Sequence, residues 1–156
     1  MASSRKPASA AVSAPGRILA IDYGQKRIGL ALSDELQMTA QPLQTLMRTN
    51  RRNDLRRLRE IARKHEVRRI LVGHPLHLDG GESEMAAEAA RFARRVEKEL
   101  GLPVELADER LSSWEAHQMF AETSRKQRRR RVVDEIAAAI ILRDYLASAR
   151  QKEARR

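Results

Sequence analysis

The sequence predicts an α/β fold: a mixed sheet, an antiparallel hairpin followed by parallel strands, flanked by helices on both faces. Three observations lead there. Two apolar runs, residues 18–21 and 28–32, are separated by a short turn containing Gly24, the signature of a β-hairpin. The first run has no polar alternation, so its strand should be covered on both faces in the middle of a sheet. Beyond the hairpin, stretches of helical period alternate with short apolar runs, the pattern of helices packed on a sheet.

Each element follows from its residues. The stretch 38–46 is a weaker strand, and Pro42 suits it to an edge. Residues 53–65 form a helix whose stripe is Leu55, Leu58 and Ile61/Ala62, with Asp54 in its first turn. Arg51, Arg52, Arg56, Arg57, Arg59 and Arg63 occupy its other faces, an ordinary solvated surface. Residues 69–73 make a short buried strand that ends at Gly73-His74-Pro75. A loop through Asp79-Gly80-Gly81 leads to a helix capped by Ser83, striped by Met85, Ala89, Phe92 and Val96, and stopped by Gly101 and Pro103. Residues 104–107 form the last strand, running into Asp108-Glu109-Arg110. Ser112 and Glu115 have capping-box spacing for a helix to about residue 121. A basic run without periodicity (Arg125, Lys126, Arg128, Arg129, Arg130 and Arg131) precedes a final helix over 134–147. The organisation expected is a disordered arm over 1–16, one domain over 17–147 and a charged, flexible tail over 148–156.

Composition narrows the function. A chain of 156 residues holds one domain with a proper core. Its 31 Lys and Arg against 21 Asp and Glu leave a net charge of +10, which favours a polyanion as partner. No apolar run approaches the ~20 residues of a membrane span, and residues 1–16 lack the apolar core of a signal peptide. With no cysteine there is neither a disulfide framework nor a thiolate metal site, which fits a reducing cytoplasm. Aromatics are scarce, leaving Tyr23, Tyr145 and Trp114 as candidates for base stacking. The expected grip is therefore on phosphates and duplex shape rather than unpaired bases.

In such sheets, chemistry gathers where strands end beside helix starts. Three acidic positions qualify: Asp22 after the first strand, Asp108 or Glu109 after the last, and Asp134 at the start of the final helix. Asp134 shares a stripe with Ala137, Ala138, Ile141 and Tyr145, so its carboxylate faces the sheet, and the alanines let that helix lie close. Asp108 and Glu109 point to opposite faces along a strand, and pattern alone does not choose between them.

The segments IDYGQKRIGLALSD, LVGHPLHLDGG, LADERLSSWEA and VVDEIAAAIILRDYL, in this order and spacing, resemble the YqgF family over residues 17–146. That resemblance implies an RNase H-like fold. It also implies the activity of a Holliday junction resolvase or of a nuclease that matures the 5′ end of pre-16S rRNA. It places the family's acidic residues on Asp22, Glu109 and Asp134, settling the choice against Asp108. Three converging carboxylates repel unless a cation lies between them, and oxygen-only ligands without cysteine point to Mg²⁺ or Mn²⁺. The reaction implied is metal-dependent hydrolysis of a phosphodiester in structured RNA, with the pre-rRNA as substrate.

Around those three, Lys26 and Arg27 are placed to hold a neighbouring phosphate, and Arg110 to pair with a carboxylate or a phosphate. The basic run 125–131 is expected to order on substrate. His74 and His77 depart from the family's pattern and are secondary candidates for assisting water or touching RNA. Two rival functions remain. A DNA junction resolvase needs a stable dimer, and no heptad or dimer seam is evident, so a monomer or weak homodimer is expected. A non-catalytic rRNA-binding assembly factor is the other. An actin-like ATPase also opens on such a hairpin but needs two domains around its nucleotide.

Overall fold

The computed structural model describes residues 16–74, 83–108 and 130–155, with the side chains of 130–133 excepted. Its elements are β1 (Arg17–Tyr23), β2 (Arg27–Ser33), β3 (Ala40–Met47), α1 (Arg51–Lys64), β4 (Val67–His74), α2 (Glu84–Leu100), β5 (Val104–Asp108) and α3 (Arg130–Ala154). The five strands form one sheet in the order β3-β2-β1-β4-β5. Strand β2 runs antiparallel to both β1 and β3, whereas β4 is parallel to β1 and β5 to β4. This is the mixed α/β sheet expected from the hairpin and the alternation beyond it.

The apolar run in β1 sits at the centre of the sheet. Ile18, Leu19, Ala20 and Ile21 are all fully buried, because alternate side chains enter two separate cores. Leu19 and Ile21 pack with Leu55 and Leu58 of α1 and with Phe92 and Val96 of α2. Ile18 and Ala20 pack with Ala138, Ile141, Leu142 and Leu146 of α3. Helices therefore cover both faces: α1 and α2 on one, α3 on the other. Pro42 lies in β3, the edge strand, where its missing N–H leaves no inner ladder unpaired.

The ends of the elements follow local chemistry. Asn50 caps α1, its side chain accepting from the Asn53 N–H at 2.9 Å, so the helix begins two residues before the expected start. Ser83 caps α2 by accepting from the Ala86 N–H at 3.1 Å. Gly101 closes α2 at φ 71°, a left-handed position that suits glycine. Helix α3 starts at Arg130 and continues to Ala154, past the expected end at 147. Its last residues, rich in Ala, Arg, Gln, Lys and Glu, are good helix formers that need no core to stay helical. The expected helix over 112–121 lies outside the described residues. No helix among the described residues is long and apolar enough to cross a membrane.

Helix α3 approaches the sheet closely at Gly29. A Cβ built there would lie 2.1 Å from the Asp134 carbonyl oxygen and 2.4 Å from its carbon. Gly29→Ala must push main chain against main chain, so it is expected to cost about 1–3 kcal/mol of stability. A urea titration of the purified variant checks this; an unchanged midpoint and slope would refute the close approach.

Candidate active site

Strand parity and register assemble the site. Asp22 follows Ala20 by two residues on β1, so its side chain emerges on the α3 face. Its cross-strand partner on β2 is Gly29, and the partner of Gly29 on β3 is Thr45. Gly29 offers no side chain on this face, which leaves the space that the first turns of α3 occupy. Asp134 thus comes to rest on the strand next to Asp22. On β3, Thr45 Oγ1 donates to Glu135 Oε2 at 3.3 Å and ties the helix to the sheet edge.

The two carboxylates sense each other. Asp22 keeps a fringe of exposure, but burial pushes its carboxyl from 3.8 up to about 6, and the Asp134 charge adds to the rise. Asp134 has a countercharge: Arg27 Nε donates to its Oδ2 at 2.6 Å. Both side chains are about a quarter exposed, at 28% and 24%, so the pair orients Asp134 more than it stabilises the fold. Arg27, expected to hold a phosphate, instead holds a carboxylate across 107 residues of sequence. Lys26 stays exposed at the turn, where its carbonyl accepts the Arg48 N–H at 2.9 Å.

His74 ends β4 on the parity of Ile70 and Val72, which pack under α1 and α2, so it faces away from Asp22. Its partner on β5 is Asp108, the last described residue of that strand, while Ala107 before it packs against the α3 core. Glu109, Arg110, His77, Arg125, Lys126, Arg128 and Arg129 lie outside the described residues, as do the side chains of Arg130 and Arg131. Among the described residues no three acidic or imidazole groups come together. Two carboxylates do share a surface, and a hard, all-oxygen donor pair of this kind suits a divalent cation of the Mg²⁺ type.

No local pattern marks Arg48 as a site residue, yet the fold makes it one. Its Nη1 donates to the carbonyls of Gly24 at 2.8 Å and Gln25 at 3.0 Å, and its guanidinium lies 4.5 Å over the Tyr23 ring. It pins the β1–β2 turn directly beyond Asp22. Tyr23 also stacks on Phe92, centroids 4.0 Å apart, so it is no free platform for a base. Tyr145 is likewise engaged, donating to Glu105 at 2.7 Å.

Comparison with known proteins bears on the family and the fold. The family model described as "RuvX: Holliday junction resolvase" matches residues 16–148. A relative from Syntrophus aciditrophicus, provisionally named a pre-16S rRNA nuclease, is 45% identical over 138 residues, covering 88% of this chain and 92% of its own. One from Koribacter versatilis with the same name is 47% identical over 132 residues, covering 84% and 86%. Among solved structures, Thermus thermophilus RuvC bound to a Holliday junction superposes with a TM-score of 0.55 at 15% identity. That match covers 85% of this chain and 94% of RuvC, a likeness of fold.

The raised Asp22 makes a stability prediction for the ion-free protein. An acid whose folded pKa exceeds its unfolded value contributes fully below about pH 4 and loses that contribution as pH rises through about 6. In EDTA at pH 7.5, Asp22→Asn should therefore be more stable than the wild type by about 1–3 kcal/mol, since each tenfold change in proton affinity is worth ~1.4 kcal/mol. The gain should vanish near pH 4. Thermal melts across this range check it; an Asn variant no more stable at pH 7.5 would refute the desolvated placement of Asp22.

Proposed function

This chain belongs to the RuvX/YqgF family of nucleases, and from that membership we propose that it hydrolyses phosphodiester bonds in structured RNA, namely the 5′ end of the pre-16S rRNA. Asp22 and Asp134, together with Glu109, hold a divalent cation, Mg²⁺ or Mn²⁺. The observation that carries this reading is the convergence of Asp22 and Asp134 on one sheet face, close enough for the second to raise the pKa of the first. Glu109 enters as the third member from the resemblance of LADERLSSWEA to the family's motif.

When bound, the cation activates water and offsets the charge that builds on the scissile phosphate. The residues of the chain have separate tasks. Asp22 presents its oxygens from the end of β1 and Asp134 from the second turn of α3, both regular elements rather than loops. Arg27 fixes the Asp134 carboxylate and leaves a second cation close to any incoming phosphate. Gly29 keeps the distance between strand and helix short. Arg110 and the basic run 125–131 supply charge for phosphate contacts.

RNA leads over a DNA junction because the relatives at 45% and 47% identity are named for the rRNA precursor. The family model is named for the junction instead, which makes resolvase activity the second reading. The discriminating experiment incubates the purified chain with a pre-16S rRNA 5′ fragment and, separately, with a four-way DNA junction, each in Mg²⁺, Mn²⁺ or EDTA. Cutting of the RNA with either ion and not with EDTA is expected. Paired cutting of the junction alone would favour the second reading, and no cutting of either would leave an rRNA-binding factor.

Two variants follow. Asp22→Asn and Asp134→Asn should each lower RNA cleavage by about 100-fold or more while retaining RNA affinity. Mg²⁺ should raise the melting temperature of the wild type and not that of Asp22→Asn, because only an intact site binds the ion in the folded state.

A further inference from the structure

On the other side of the sheet, just past Asp22, lies a cleft of about 360 Å³ between the end of β1, the connection from β3 into α1, the start of α1 and the flank of α2. Arg48, Arg51, Arg91 and Arg95 line it, against Asp54 and Glu88. The charge of Asp54 is already committed. It accepts from the Thr49 N–H at 3.0 Å, from Thr49 Oγ1 at 2.9 Å and from Arg57 at 2.7 Å. Arg51, Arg91 and Arg95 make no ion pair among the described residues. Arg91 and Arg95 are four apart on α2, so their like charges face each other and repel. The N-terminus of α1, with Thr49 and Arg51 on the wall, adds the positive end of a helix dipole. An anion is the natural occupant.

The aromatic groups on the wall say which part of a nucleic acid it takes. Tyr23 and Phe92 stack on each other, and Arg48 covers the Tyr23 ring, so no face is left for a base. A phosphate needs none. We propose that this cleft binds backbone phosphates of the RNA strand flanking the cleavage point, as a second anchoring surface across the end of the sheet from Asp22 and Asp134; the choice of ligand rests on the nuclease reading above. Asp22 and Tyr23 are consecutive on β1 and point to opposite faces, so a strand lying over the end of β1 passes from the acidic site into the cationic cleft. In the sequence the basic run 125–131 is the conspicuous phosphate grip, while the arginines of α1 have the look of an ordinary solvated face. The fold separates Arg51 from that face by setting it opposite Arg91 and Arg95.

The test is the salt dependence of binding to a fluorescein-labelled single-stranded pre-16S 5′ fragment, in EDTA so that no cutting intervenes. The double variant Arg91→Ala/Arg95→Ala leaves Arg48 and the turn intact and relieves a like-charge pair, so it should fold; circular dichroism confirms this. It should lose roughly tenfold in affinity near 100 mM salt, and its log–log salt slope should shrink by about 1.4, at ~0.7 per single-strand phosphate. Arg91→Lys/Arg95→Lys keeps the charge and should retain most of both. The control Arg63→Ala/Arg94→Ala removes equal charge at exposed positions outside the cleft and should change the slope much less. Wild-type binding by the cleft variant, an equal loss in the control, or no RNA binding by the wild type would each overturn the proposal. Cleavage is scored separately in Mg²⁺. If the wild type cuts no RNA but the cleft variant alone loses affinity, the nuclease reading fails and the cleft stands. If the wild type cuts and the cleft variant binds normally, the cleft alone fails.

Discussion

Two like charges held against each other in partly desolvated surroundings are the constraint on which the rest of this structure depends. Asp22 and Asp134 come from elements more than a hundred residues apart, and separation would relieve both. The fold does not allow it. Below the pair, Ala138, Ile141, Leu142 and Leu146 of α3 bury themselves against Ile18, Ala20, Ala31 and Leu71. Burying one such side chain is worth about 1.5–3 kcal/mol, so the cluster readily outweighs a repulsion of a few kcal/mol at its end. Above, the bare Gly29 backbone presents no side chain to hold helix and sheet apart. Arg27 then offsets part of the charge without separating the two acids.

An arrangement of this kind sacrifices stability for reactivity. A carboxyl pushed up to about 6 is a poor structural element near neutral pH, and nothing in the core requires an acid at that strand position. The cost makes sense where a divalent cation completes the site. The same strand end then serves two purposes, because parity sends Tyr23 to the face where Phe92 and Arg48 hold it beside four arginines. The acidic pair and the arginine-lined cleft lie back to back across one residue of β1, an arrangement that suits the proposed action of a chain of net charge +10 on a polyanion.

Much of this is legible in the residues. The unbroken run 18–21 announces a doubly covered central strand, Pro42 an edge, Ser83 and Gly101 the limits of a helix, and the Asp134 stripe a carboxylate turned toward the sheet. Local signals of that type survive folding because they are local. What escapes is set by long-range pairing. Arg27 looks like a phosphate contact until β2 is aligned with the start of α3. Asn50, three residues before Asn53, is the better cap for α1, but Asp54 is the more conspicuous as a first-turn acid; in the fold its carboxylate is buried and bonded back to Thr49. Gly29 carries no chemistry of its own, and only its register opposite Asp22 reveals why it must lack a side chain. The arginine cleft is assembled from the end of β1, the connection from β3 into α1 and two helices, which no periodicity within one segment could disclose.

The central claim is that Asp22 and Asp134 act as one ligand set, and its most direct test is a crystal grown or soaked with Mn²⁺ and measured at a wavelength where manganese scatters anomalously. The account predicts an anomalous peak within about 2–2.5 Å of a carboxylate oxygen from each of the two aspartates. No peak at that position, or a manganese held by one aspartate while the other remains apart, would contradict it.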